Sequence, residues 1–215
     1  MIVTLTLLCF GTAGWLVAQA GRSAYQSAAV PLPRDVAYDA YALYSYIYRH
    51  SNWPDPTEVV AVVQDVAPFR NDASSKACVK PETGDERTMV DTAIRLSQDQ
   101  HAWEARFDFG RPYKLLSKAQ AAEAIDCIGG FPKDQSTCQP YKAMRYVRYL
   151  SAPGFNHDHT RALVQISRVC GGLCGDGNVS VYRKTGQSWE REERSFVSCV
   201  WVAFVSPVLS RCASD

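Results

Sequence analysis

The sequence predicts an α+β domain: an N-terminal amphipathic helix and shorter helices packed on one face of a mainly antiparallel sheet that closes with a C-terminal β-meander. Three observations carry this. Val36, Ala40, Leu43, Tyr44 and Ile47 recur at helical spacing and make one apolar face. From residue 149 onward, runs at 161–168, 179–184, 188–193 and 196–205 read as strands separated by turn residues. The connections between them are short, which makes them antiparallel neighbours.

Composition and the N-terminal region set the compartment. With 47% hydrophobic and 21% charged residues, the 215-residue chain has the balance of a folded domain rather than a disordered one. Residues 2–18 carry no charge, and Ala18-Gln19-Ala20 fits the small-x-small rule for signal peptidase. We therefore divide the chain into a signal peptide (1–20), a linker (21–33) and one domain (34–215). The start has no Lys or Arg, so an uncleaved N-terminal anchor is the alternative, and a membrane partner is expected only in that case. Of the eight cysteines, Cys9 leaves with the leader, and Cys78, Cys127, Cys138, Cys170, Cys174, Cys199 and Cys212 remain. Export with many cysteines implies disulfides and a periplasmic or secreted location. The remaining number is odd, so one thiol stays free or pairs between chains. The net charge of +1 and the lack of a basic stripe argue against nucleic acid.

The helix from residue 34 has Pro33 at its start and Asp35 in its first turn, where a negative charge suits the dipole. Tyr38, Tyr41, Tyr46 and Tyr48 read as rings flanking the core face with hydroxyls reaching water. Pro54 and Pro56 follow the helix and prevent its continuation. Residues 58–67 are β-branched and read as a buried strand, and 71–86 as a polar loop holding Cys78. A capping-box-like pattern from Thr88 to Asp91 predicts a helix over 89–99. Residues 103–113 read as extended, leading to Lys114-Leu115-Leu116. Ser117 and Gln120 form a second capping box, and a helix over 119–125 is stopped at Gly129-Gly130. Cys127 and Cys138 bracket the next loop, and a disulfide between them is one open pairing; Cys199 and Cys212 are further candidates. Residues 141–150 fit strand or helix.

The C-terminal half contains Tyr149-Leu150-Ser151-Ala152-Pro153-Gly154-Phe155-Asn156, then Thr160-Arg161-Ala162-Leu163-Val164. Cys170-Gly171-Gly172-Leu173-Cys174-Gly175-Asp176-Gly177 and Lys184-Thr185-Gly186-Gln187-Ser188-Trp189 follow. This combination resembles a group of uncharacterised exported bacterial proteins that share an S-x-x-GFN…T-x-ALV…CG-x-x-CG-x-G…K-x-G-x-W signature. The resemblance implies an exported α+β domain and no particular activity. Each part has a structural reason. Phe155 plugs the core, Asn156 starts a turn, Gly186 makes another, and Trp189 packs on the sheet. Gly175 and Gly177 belong to a hairpin loop.

Candidate chemistry is sparse. Cys170 and Cys174, four apart with Gly171-Gly172 between them, read first as a disulfide staple on that loop. A redox-active pair is the first alternative; it requires cations or a helix N-terminus to stabilise a thiolate. Zinc lacks a second cysteine pair at ligand spacing. His157 and His159 are metal-ligand material placed in a turn, where they read as solvated. Residues 190–194 form a charge run that reads as the solvated side of an edge strand. No Gly-x-Ser-x-Gly element is present. The reading is therefore a disulfide-stabilised, non-catalytic protein of binding or envelope-support function with no cofactor and an undefined partner. A thiol–disulfide redox protein using Cys170 and Cys174 is the first alternative, and a hydrolase with dispersed catalytic residues is the second.

Overall fold

Strand β2 (Val60–Val63) lies between β4 (Tyr113–Leu116) and β5 (Val147–Leu150) and runs parallel to both. All four β2 residues are buried because both faces are covered. Val60 and Val62 join the core beneath α1 (Arg34–Arg49), while Ala61 and Val63 join the core beneath α3 (Lys118–Ile128). That double burial is the reason for the unbroken apolar run in the sequence. The structure is a computed structural model. It describes residues 29–52, 55–69, 79–132, 134–172 and 174–193, and the backbone of 200–202. The leader, most of the linker, Cys78, Cys199 and Cys212 lie outside the described residues.

Antiparallel strands continue the sheet from β5. They are β7 (Arg161–Val169), β8 (Gly175–Thr185), β9 (Ser188–Arg191) and β10 (Val200–Val202). The order is β10–β8–β7–β5–β2–β4, with a short β6 (Gly154–Phe155) added to β7 and β9 added to β8, while β1 (Val30–Pro31) and β3 (His101–Ala102) form a separate parallel pair. The fold is thus α+β with a C-terminal meander, β7–β8–β9. The fourth predicted strand does not extend the meander past β9. β10 instead pairs with residues 176–178 of β8, end to end with β9 on the same edge. The β8–β9 turn is made by Gly186, whose φ of +65° is a left-handed conformation that glycine adopts without a Cβ penalty.

Helices cover both faces of the sheet, which corrects the expectation that they share one. α1 packs over Leu150, Val164 and Trp189. α2 (Gly84–Gln98) packs on the opposite face, where Met89 and Ala93 meet Leu163, Val179 and Val181. α2 also begins five residues earlier than the sequence pattern indicates. Its capping box is Thr83 with Glu86: the Glu86 N–H donates to Thr83 Oγ1 (3.2 Å) and the Glu86 carboxylate accepts from the Thr83 N–H (3.0 Å). Thr88, the expected cap, lies inside the helix and donates to Gly84 O. α3 starts at its expected capping box, Ser117 and Gln120, but runs one turn further to Ile128. A 3-10 helix (Gln135–Tyr141) follows it. Residues 103–112 are not extended but irregular; they carry Trp103, Phe107 and Phe109 into the main core.

The tyrosines of α1 divide by position. Tyr41, Tyr44 and Tyr48 are buried, whereas Tyr38 is 73% exposed. Two of the buried hydroxyls meet backbone rather than water. Tyr44 Oη donates to Ser151 O at 2.7 Å, and Tyr41 Oη accepts from the Glu104 N–H at 2.6 Å. Edge-on contacts of both rings with Trp103 close the cluster. Among the described residues no helix is long and apolar enough to cross a membrane.

Candidate functional site

The glycine-flanked cysteines lie at the tip of the β7–β8 hairpin. Cys170 and Cys174 form a disulfide with a Cα–Cα distance of 5.0 Å, and the Cys170 N–H donates to Cys174 O at 2.9 Å. Gly171 takes φ +132°, a conformation closed to most side chains. Strand β8 runs through Gly175 and Gly177, so the loop is tighter than the sequence pattern indicates. A second disulfide joins Cys127 at the end of α3 to Cys138 in the 3-10 helix, with a Cα–Cα distance of 5.4 Å. The two clasps touch: a Cβ on Gly129 would lie 2.9 Å from the Gly171 Cα. All four cysteines, with Lys142 and Arg145, line one open depression of about 530 Å3.

The signature residues hold the turn between β6 and β7. Asn156 Oδ1 accepts from the Arg161 N–H at 2.8 Å, and its amide donates to Thr160 Oγ1 at 3.2 Å. Phe155 is buried between the rings of His159 and Trp189. His157 is exposed, but His159 turns inward to Asp39, with Nδ1 2.8 Å from Oδ2; Lys184 Nζ reaches the other carboxylate oxygen at 3.1 Å. Burial raises the Asp39 pKa, but the hydrogen bonds from His159 and Lys184 outweigh it and hold the carboxyl below its ordinary value. His157 and His159 therefore do not converge. Among the described residues no cluster of three or more His, Cys, Asp or Glu could hold a metal.

The charge run near β9 is exposed at Glu190, Arg191 and Glu193, as expected, but not at Glu192. Glu192 is not solvated: its carboxylate takes a two-point bond from Arg161 (2.9 and 2.8 Å) and its side chain is 8% exposed. It separates Arg161 from Arg183, which sit directly opposite on β7 and β8.

A polar cleft of about 480 Å3 opens beyond the C-terminal end of α1. Its origin lies in strand alternation. The side chains of β5, β7 and β8 that face α1 are apolar under the helix and polar past its end. On β5, Leu150 gives way to Arg148; on β7, Val164 gives way to Ile166 and Arg168. On β8 the series is Tyr182, Ser180, Asn178, Asp176. Helix α1 supplies Ile47 and Tyr48 as one wall, and Tyr146, Arg145 and Arg191 stand at the mouth.

Arg148, Arg168 and Asp176 form one row across three strands, because Arg148 is the register partner of Arg168 and Arg168 that of Asp176. Two arginines directly opposite repel. Three contacts offset this. Arg148 donates to buried Glu58 at 2.8 Å, Arg168 makes a two-point bond to Asp176 at 2.6 and 2.7 Å, and both guanidiniums lie over the Tyr146 ring, at 5.6 and 5.0 Å from its centroid. The Asp176 carboxylate raises the Arg168 pKa further. Burial pushes the Tyr48 hydroxyl up to about 12, so it is a neutral donor at physiological pH. The last helical carbonyls near the cleft are occupied: His50 N–H donates to Tyr46 O, and Ser51 Oγ donates to Ile47 O at 2.6 Å.

Sequence reasoning gathered none of these residues into a common site. The available signal was Arg148, a charge in the strand Val147-Arg148-Tyr149-Leu150 at an inward-facing position. Comparison with protein-family models, curated proteins and solved structures returns no match. The two disulfides among the described residues and the α+β fold accordingly define the class: a disulfide-stabilised protein suited to an oxidising, non-cytoplasmic compartment.

Proposed function

We propose that this is an exported bacterial protein, periplasmic or secreted, that binds a small ligand in the cleft at the end of α1 and does not transform it. The proposal extends to membership of the exported group that shares the GFN…CG-x-x-CG-x-G signature. The observation that carries the reading is the cleft's construction. Its floor is a row of charged side chains fixed by ion pairs and a shared aromatic ring, and its volume of about 480 Å3 suits a small organic molecule. Both described carboxylates of the lining, Glu58 and Asp176, are engaged by arginines. No histidine or cysteine is among the described lining residues. This supports binding over hydrolysis, which needs a base free to accept a proton. A thermal-shift panel of sugars, amino acids, carboxylates and phosphates tests the reading. At least one class is expected to raise the melting temperature of the native protein, and Asn178→Trp, which fills the cleft, is expected to abolish the rise. A rise that persists in the filled variant contradicts it.

A second reading is favoured by one observation: Lys142 and Arg145 line the same depression as both disulfides, where cations would stabilise a thiolate. In that reading a substrate dithiolate attacks Cys174 Sγ, the Cys170 thiolate leaves, and the second substrate thiol resolves the mixed disulfide. The substrate ends oxidised and Cys170–Cys174 reduced. The purified protein would then oxidise a model dithiol, and Cys174→Ala would abolish this. Variants of either cysteine that only lower the melting temperature would exclude it.

A further inference from the structure

We infer that the ligand of this cleft is a small oxyanion, a carboxylate or a phosphate, whose charge is met by Arg145 and Arg191 at the mouth. The inference rests on the binding reading above and names the ligand class. Four arginines and two carboxylates line the cleft. Arg148 is matched to Glu58 and Arg168 to Asp176, so the two carboxylates are used up within the floor. Arg145 and Arg191 have no ion pair among the described residues, and both are exposed. Arg145 feels Asp55 through space, but that carboxylate is already held by Thr57. The cleft therefore presents an excess of positive charge toward its opening.

Two further features fit an anion. The helix C-terminus beside the cleft would ordinarily attract a cation, yet its Tyr46 and Ile47 carbonyls are already hydrogen-bonded. The row Arg148–Arg168 costs repulsion across the β5–β7 pair, and its guanidiniums are preset by Tyr146 on one side and their carboxylates on the other. A fixed guanidinium loses less freedom when an oxyanion, planar carboxylate or tetrahedral phosphate, docks beside it. Ser180 supplies a hydroxyl and Asn178 an amide for the remainder of the ligand.

The test is a titration of the disulfide-intact, isotope-labelled protein at low ionic strength, followed by amide chemical shifts, with inorganic phosphate, succinate and glucose as separate probes. Phosphate or succinate is expected to move the amides of Tyr146, Arg168, Asn178 and Arg191 saturably, and which of the two binds more tightly distinguishes a phosphate ester from a carboxylate. The Arg145→Gln/Arg191→Gln double variant is expected to weaken that binding about tenfold or more, because each lost charge-assisted bond costs that order. Both side chains are exposed, so the variant's melting temperature stays at the parent value and reports an intact fold. Undiminished anion binding in the double variant overturns the assignment. Saturable shifts with glucose alone leave the cleft as a binding site and overturn its anion preference. No saturable shift with any of the three overturns both.

Discussion

At the level of single residues, the buried pair Arg148–Glu58 is the most exacting contact of the cleft. Both side chains are almost fully enclosed, at 5% and 2% exposure. A charge left alone there has no water to replace its partner, so Arg148→Met is expected to cost about 3–5 kcal/mol. The double variant Glu58→Leu/Arg148→Met removes both charges and is expected to recover most of that loss. Urea unfolding of the two variants checks this; equal losses in both would mean that packing, not charge, dominates. Asp39 gives a pH dependence. Its carboxyl is lowered from 3.8, so between the two values the unfolded chain binds more protons than the folded one. Its contribution is therefore complete above about 4 and fades as pH falls through the folded value. Asp39→Asn is expected to destabilise at pH 7 and to lose its effect at strongly acid pH, read from melting temperatures across that range. Tyr48 acts at the other extreme. Its hydroxyl is raised from 10.0 to about 12, so its neutral burial stabilises below 10 and that stability is lost as pH rises toward 12.

At the level of elements, two close approaches decide how the layers meet. A Cβ on Gly154 would press into the Met89 carbonyl of α2, so β6 and the helix backbone touch directly. Gly154→Ala forces one of them to move and is expected to cost about 1–3 kcal/mol. At Gly186 nothing lies within reach of a new Cβ, so Gly186→Ala meets only the left-handed backbone and costs about 1 kcal/mol. Thermal melts of the two variants rank them; a reversed ranking would refute the direct α2–β6 contact. The disulfides differ in the same way. Cys127–Cys138 closes the longer ring, so its removal by paired Cys→Ser exchange is expected to cost about 3 kcal/mol, against about 2 kcal/mol for Cys170–Cys174. The elements best read from sequence were those with local signals: α1 from its apolar spacing, α3 from Ser117 and Gln120, and the β7–β8–β9 meander from its turns. α2 was misplaced because its cap, Thr83 and Glu86, sits in a polar stretch that also fits a loop. The parallel position of β2 between β4 and β5 is a long-range pairing that no local pattern encodes.

Across the whole molecule, the two helical layers and the two disulfides fix a sheet whose uncovered corner is the cleft. α1 stops after Arg49, the strands continue past it, and their inward side chains turn polar where the cover ends. The candidate site was hidden from sequence for a physical reason. Glu58, Arg148, Arg168 and Asp176 are scattered along the chain and converge only through strand register, whereas the cysteine and histidine motifs that stand out locally serve the turn, the core and the clasps. The disulfide at Cys170–Cys174 closes the hairpin that carries Arg168 and Asp176, so the clasp also braces the candidate cleft. The most direct measurement is a crystallographic fragment screen of the disulfide-intact protein. Fragments gathered on the floor formed by Arg148, Ile166 and Ser180 are the expected result; fragments gathered elsewhere, or a cleft filled by the protein's own chain, would contradict the account.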